Sequence, residues 1–306
     1  MNNFLIKTAN KVPIIKITSN YNVELFIKRE DLIHPQISGN KFWKLFYNIE
    51  NYLTQNPRNP QIITFGGAFS NHIAATAAAG KEFNINTLGI IRGNELANNW
   101  QENSTLKIAN QNGMKFRFIN RSEYRDKQKL SEILKNEFPD SLIIPEGGTN
   151  ELGVNGVNFM LNDETKQFDY LCCPVGTGGT VAGISKFAEN NQKVLGFVVV
   201  KDSSLENKIL ELSGRNNFEL INTENNVYGK ITDQNIRFIN DFHTKFNIQL
   251  EPIYTSKMLE KIFTLIEEGF FPNNSKILAF HTGGLQGIIG ANDKLKKQGR
   301  VLIKFP

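Results

Sequence analysis

Ile62-Ile63-Thr64-Phe65-Gly66-Gly67-Ala68-Phe69-Ser70-Asn71-His72 runs straight on into Ile73-Ala74-Ala75-Thr76-Ala77-Ala78-Ala79. The first four residues are apolar or β-branched and predict a short buried strand. Gly66-Gly67 ends it, and the alanine-rich run over residues 71–81 predicts a tightly packed helix. The same unit recurs outward along the chain. Residues 87–92, 115–119 and 141–144 read as strands, with helices over 103–112 (closed by Gly113) and 127–136. Further on, residues 170–174, 193–200 and 276–281 read as strands. Helices follow from about residue 181 and over 233–246 and 257–268, and a helix-like stretch covers 42–52. Strand, glycine turn and helix in repetition predict an α/β protein with largely parallel sheets and crossover helices. No solenoid repeat or low-complexity linker interrupts the pattern.

Composition narrows the function classes. The 306 residues are 40% hydrophobic and 21% charged, an ordinary soluble balance, with a formal net charge of +5. Lysine and arginine are scattered, which suits attraction of anionic metabolites and argues against nucleic acid as a partner. The only cysteines, Cys172 and Cys173, are adjacent in an apolar run, so a disulfide framework is excluded. They read as small core residues in a reducing compartment. Met1-Asn2-Asn3-Phe4-Leu5-Ile6-Lys7 lacks a signal core, and no apolar run approaches the ~18 residues of a membrane span. The expectation is a soluble cytoplasmic protein without a membrane partner.

Ligands of parallel α/β sheets collect beyond the carboxyl ends of the strands, where four glycine-bearing turns lie here. Gly176-Thr177-Gly178-Gly179-Thr180 is either a tight turn or a phosphate cradle built from helix-start N–H groups and two hydroxyls. It lacks the ending of a P-loop and the spacing of a dinucleotide fingerprint. In the turn around Ser70-Asn71-His72, Ser70 or Asn71 serves as a helix cap, or the helix start cradles a carboxylate. His72 has no second ligand at metal spacing. Pro145-Glu146-Gly147-Gly148-Thr149-Asn150 and His281-Thr282-Gly283-Gly284 are punctuation or ligand contacts. Lys41 follows Ser38-Gly39-Asn40 at a predicted helix start. It is a solvated lysine like most, or a partly buried amine whose lowered pKa suits Schiff-base chemistry. Tyr254, in Glu251-Pro252-Ile253-Tyr254-Thr255-Ser256-Lys257, is in the ordinary case a core tyrosine.

Taken in order, these segments resemble the 1-aminocyclopropane-1-carboxylate (ACC) deaminase / D-cysteine desulfhydrase family of pyridoxal 5′-phosphate (PLP) enzymes. The stretches that carry the resemblance are Ile27-Lys28-Arg29-Glu30-Asp31-Leu32, Ser38 to Lys41, Gly66 to His72, Pro145 to Gly148, Gly176 to Thr180, Tyr228-Gly229, Pro252 to Lys257 and His281 to Gly284. Each is weak alone, and the ordered set spans most of the chain. The resemblance implies the tryptophan-synthase-β-like fold, with a small domain over residues 43–159. A large PLP-binding domain would be made from residues 1–42 and 160–306. It implies a homodimer acting on a small amino acid.

The implied roles follow residue by residue. Lys41 matches the Schiff-base lysine that also moves the α-proton. Asn71 matches the residue bonded to the cofactor's phenolic oxygen. Ser70, Asn71 and His72 match the substrate-carboxylate side, and Gly176, Thr177, Gly178, Gly179 and Thr180 the phosphate loop. Tyr254 and Tyr228 match tyrosines near the substrate. Thr255 and Thr282 stand where the deaminase branch carries Glu and Leu and the desulfhydrase branch carries hydroxyl residues. A carboxylate at the pyridine nitrogen keeps it protonated and makes the ring a strong electron sink, which opening a cyclopropane needs. Expelling a thiolate demands less. The expected reaction is therefore α,β-elimination from D-cysteine or a similar β-substituted amino acid, giving pyruvate, ammonia and sulfide. ACC deamination to 2-oxobutanoate and ammonia is the alternative. From another class, the alternative is a non-catalytic α/β protein that binds a phosphate ligand. Phe69, where relatives often carry glutamine, and Ser256, in place of glycine, depart from the pattern on the substrate side.

Overall fold

The computed structural model describes residues 2–17, 22–223 and 229–305. Among these residues ten strands form two separate sheets. In chain order they are β1 (Ile14–Ile17), β2 (Glu24–Lys28), β3 (Gln61–Gly66), β4 (Asn86–Arg92), β5 (Lys115–Ile119), β6 (Leu142–Ile144), β7 (Tyr170–Val175), β8 (Lys193–Val198), β9 (Phe218–Asn222) and β10 (Lys276–Phe280). The smaller sheet has the order β5-β4-β3-β6 and is parallel throughout. The larger has the order β1-β2-β10-β7-β8-β9 and is parallel except for the β1–β2 pair. This is the expected α/β architecture. No helix of the described residues is long and apolar enough to cross a membrane.

Burial on both faces explains the strand sequences. In β3 every residue from Ile62 to Gly66 is buried, and the one polar side chain among those five, Thr64, donates a hydrogen bond to Ile144 O at 2.8 Å. The alanines of the Asn71–Glu82 helix let it pack on two sides at once. Ala75, Ala78 and Ala79 meet Leu45, Ile49 and Ile62, while Ile73 and Ala77 meet Ile91, Leu106 and Met114. In the larger sheet Cys172 and Cys173 alternate between the two faces as a strand requires. Cys172 packs with Leu195, Ile239 and Met258, and Cys173 with Val175, Val181 and Phe280. Both thiols are free and buried.

Several elements lie outside the sequence expectation: β1, β2 and β9, and the helices Glu151–Gly156 and Leu205–Ser213. β2 shows why. Its end, Lys28-Arg29-Glu30-Asp31, has the charge density of a solvated turn, yet Lys28 and Glu30 are fully buried. Lys28 Nζ donates to Met160 O at 2.7 Å and lies 3.7 Å from Glu30 Oε1, and Arg29 forms a two-point bond with Asp31. Pairing across the fold, invisible in sequence, makes that burial tolerable. Residue 43, the expected domain boundary, falls inside the Asn40–Leu53 helix.

Two adjacent strands of each sheet set up the site. β3 and β6 of one sheet, and β7 and β10 of the other, end at the four glycine-bearing turns.

Candidate active site

Lys41 is the second residue of the Asn40–Leu53 helix. The residue before that helix, Gly39, has φ +65°, and a β-carbon there would collide with the carbonyl of Thr282. Only glycine lets the helix start press against the turn after β10. Lys41 Nζ donates to Asn40 Oδ1 at 2.8 Å. Burial lowers its pKa from 10.5 to about 8, with Cys173 and Glu251 opposing the shift. A drop of that size raises the free-amine fraction near neutral pH about 300-fold, which a nucleophilic amine needs.

One turn along the same helix face stands Lys44, which sequence reasoning passed over. It is only 1% exposed. Its Nζ donates to Thr149 Oγ1 at 3.1 Å, and Thr149 Oγ1 is 2.5 Å from Thr177 Oγ1. A β-carbon added to Gly179 would lie 2.7 Å from Thr149 Oγ1 and 2.9 Å from Lys44 Nζ. The ammonium therefore hangs directly over the start of the Gly179–Phe187 helix. Burial pushes its pKa well down, and the neighbouring Lys41 pushes the same way. Asn40 Nδ2 donates to Thr180 Oγ1 at 2.7 Å and ties the lysine helix to this loop. Helix-start N–H groups, two threonine hydroxyls and an ammonium without a carboxylate partner among the described residues make a cradle suited to a phosphate. The signal for Lys44 in sequence was its spacing of three from Lys41.

The opposite wall comes from residues 251–257. Glu251 is buried, and its carboxylate accepts N–H bonds from Ile253 at 2.8 Å, Tyr254 at 2.6 Å and Thr255 at 2.5 Å. Burial raises its pKa to about 7 against the pull of those three bonds. This fixes the start of the Thr255–Glu267 helix. Tyr254 then lies over the phosphate loop: a β-carbon on Gly176 would sit 3.1 Å from its Cε1 and 3.2 Å from its hydroxyl. Thr255 is fully buried and its hydroxyl has no hydrogen-bond partner among the described residues. Thr282 is buried beside Gly39. Its neighbour His281 accepts from Gly283 N–H at Nδ1, so Nε2 donates to Gln249 O at 2.7 Å and the ring stays neutral.

The third wall is the turn after β3. Ser70 is the cap of the Asn71–Glu82 helix, its hydroxyl accepting from Ile73 N–H at 3.3 Å. Asn71 Oδ1 accepts from Gln286 Nε2 at 2.6 Å, and a β-carbon on Gly284 would collide with the Asn71 carboxamide. His72 turns inward. Its Nε2 is 2.8 Å from Thr64 Oγ1, which itself donates to Ile144 O, so Nε2 carries a proton and donates to the threonine. Burial first, then Lys41 and Lys44, push its pKa well down. What His72 offers the cleft is its backbone N–H. Phe69 is half exposed at the rim, its ring against Gly290.

The fold thus brings the segments that carry Lys41, Asn71, residues 176–180, Tyr254 and Thr282 against one another, with Ser70 and Thr255 next to them in sequence. Tyr228 lies outside the described residues. Sequence reasoning missed Asn40, Lys44, Thr149, Glu251 and Gln286; the bonds Asn40–Thr180, Lys44–Thr149 and Gln286–Asn71 each span more than a hundred residues. The site fits PLP on three counts: the phosphate cradle, a lysine with lowered pKa, and a buried threonine hydroxyl left for a ligand.

Comparison with known proteins agrees. The profile of the family described as pyridoxal-phosphate dependent enzyme matches residues 5–283. A protein of Pyrococcus horikoshii, provisionally named 1-aminocyclopropane-1-carboxylate deaminase, is 29% identical over 91% of this chain and 90% of its own. The mitochondrial bifunctional D-cysteine desulfhydrase/1-aminocyclopropane-1-carboxylate deaminase of Arabidopsis thaliana is 29% identical over 89% of this chain and 75% of its own. A crystal structure of an ACC deaminase homologue superposes with a TM-score of 0.79 at 27% identity, covering 97% of this chain and 99% of the other.

Proposed function

Because the chain belongs to the pyridoxal-phosphate dependent enzyme family, we propose that it eliminates the β-substituent of D-cysteine or a similar small amino acid. With one water, cysteine would yield pyruvate, ammonia and hydrogen sulfide. The observation that carries this reading is the neutral, unpartnered hydroxyl of Thr255. The buried carboxylate nearest to it in sequence, Glu251, is committed to three backbone N–H groups. By resemblance Thr255 and Thr282 would face the cofactor ring, which would then meet hydroxyls and not a carboxylate. That suits a reaction in which the leaving group carries charge away.

When bound, PLP supplies an aldehyde for the amine and a conjugated ring that accepts electron density from the α-carbon. The chain's own residues do the rest. Residues 176–180, with Lys44 and Thr149, would hold the phosphate. Asn71 would bond the ring oxygen, and Ser70 with the N–H groups of Asn71 and His72 would take the substrate carboxylate. Lys41 Nζ would hold the cofactor at its aldehyde and serve as the base for the α-proton, for which a pKa of about 8 poises it near neutrality. The Tyr254 hydroxyl stands over the Gly176 backbone, and both Tyr254 and Tyr228 are assigned to the substrate side by resemblance.

The names of the relatives favour a second reading, ACC deamination. The two separate directly: holoenzyme is assayed for pyruvate from D-cysteine and β-chloro-D-alanine, and for 2-oxobutanoate from ACC. Absence of pyruvate from both D-substrates sinks the first reading. Lys41→Ala is expected to abolish turnover. The same proposal carries a homodimer in the cytoplasm, divided into residues 43–159 and the remainder. Sedimentation of the purified enzyme checks the first part, and limited proteolysis the last.

A further inference from the structure

Asn71 and Gln286 are 215 residues apart, and their side chains bond directly. Asn71 opens the Asn71–Glu82 helix beside the smaller sheet, and Gln286 precedes the Gly287–Lys297 helix beside the larger, without capping it through its side chain. A carboxamide has one acceptor end and one donor end of nearly identical shape, so its partner decides which end faces a ligand. Gln286 Nε2 donates to Asn71 Oδ1 at 2.6 Å, which engages the acceptor end. The donor end, Nδ2, packs against Gly284, whose φ of +90° and missing β-carbon make the room. No described residue accepts from Asn71 Nδ2, so both its N–H groups stay available.

We infer that Gln286 is a positioning residue: it locks the Asn71 carboxamide with the amide N–H toward the cofactor's ring oxygen. This rests on the assignment of Asn71 to that oxygen made above. Without the lock the carboxamide is free to rotate. With an acceptor at position 286 it inverts and turns its own oxygen toward the electron-rich ring oxygen. Gln286 is partly exposed, so substitution leaves the core intact.

The test measures the dissociation constant of PLP from apoenzyme by equilibrium dialysis for wild type, Gln286→Leu, Gln286→Glu, Asn71→Ala and the double variant Asn71→Ala/Gln286→Glu. Thermal unfolding of each apoprotein controls for folding. Losing one hydrogen bond to a charged oxygen is expected to weaken PLP about tenfold in Gln286→Glu, and less in Gln286→Leu. In the Asn71→Ala background Gln286→Glu is expected to add less than about twofold, because the lock then has nothing to orient. If Asn71→Ala weakens PLP but Gln286→Glu does not, or its effect persists without Asn71, the positioning role is wrong. Unchanged PLP affinity in Asn71→Ala overturns instead the placement of Asn71, and the inference with it.

Discussion

Replacing Lys44 by methionine is expected to move two properties in opposite directions. Lys44 is 1% exposed, its ammonium has one neutral hydroxyl partner at 3.1 Å, and Lys41 stands one turn away. Among the described residues no carboxylate pairs with that charge in the apoprotein, and burial first, then Lys41, push its pKa well down. Methionine has nearly the same length and shape and carries no charge. Exchanging a poorly compensated buried charge for an apolar group of similar volume typically stabilises by ~1–3 kcal/mol. For a chain of this size that corresponds to a rise of roughly 2–5 °C in the melting temperature of the apoprotein. The holoenzyme should show the reverse, because the bound phosphate loses a charged hydrogen bond of ~1.5–3 kcal/mol. PLP binding should weaken roughly 10- to 100-fold, read by equilibrium dialysis, while calorimetry on apoprotein gives the melting temperature. A fall in apoprotein stability with PLP affinity unchanged would falsify the placement of Lys44 in a phosphate cradle. It would make Lys44 a structural residue instead.

Gly39→Ala should be severely destabilising, by about 3 kcal/mol or more, since the residue has φ +65° and its β-carbon would strike the Thr282 carbonyl; urea denaturation measures it. Glu30 and Glu251 both have folded pKa values raised to about 7 from 4.5 by burial. The folded state therefore binds more protons than the unfolded state between those values. Apoprotein stability should be greatest below pH 4.5 as far as these two groups decide it. It should fall as pH rises toward 7, by ~3 kcal/mol for each group. Gln at position 30 keeps an acceptor for the Trp43 N–H, which Glu30 Oε2 accepts at 2.7 Å. Glu30→Gln should remove its share of that slope, and an unchanged pH profile in denaturant titrations would refute the assignment. Thr255→Val should leave the apoprotein as stable or ~1 kcal/mol more so, because an unpartnered buried hydroxyl is lost. It should lower turnover of the holoenzyme, as a steady-state assay at saturating PLP would show.

Much of the fold could be read along the chain because its determinants are local. Residues 115–119 and 233–246 were assigned to their observed bounds, and most other strands and helices within a few residues. Period, glycine turns and alanine content are properties of neighbours in sequence. The main helix misreading has the same origin. The Gly179–Phe187 helix begins two residues earlier than its side chains suggest, because glycines carry little helix signal. The missed strand β2 has a different cause: its charged end is buried only because Met160 and Glu30 meet Lys28 there.

For the site, the sequence by itself determined the kinds of groups and their order. It supplied a lysine after Ser-Gly-Asn, a serine and asparagine at a helix start, a glycine-threonine loop, and threonines at 255 and 282. Local backbone needs dictate those residue types, so they could be recognised one turn at a time. Only the tertiary structure decided what each of them faces. It placed Lys44 over Gly179, spent Glu251 on backbone N–H groups, turned the His72 ring into the interior, and joined Asn71 to Gln286. Desolvation and hydrogen-bond partnership arise between elements far apart in sequence. Those two quantities set the proton affinity of Lys41, the orphan state of the Thr255 hydroxyl and the free donor on Asn71.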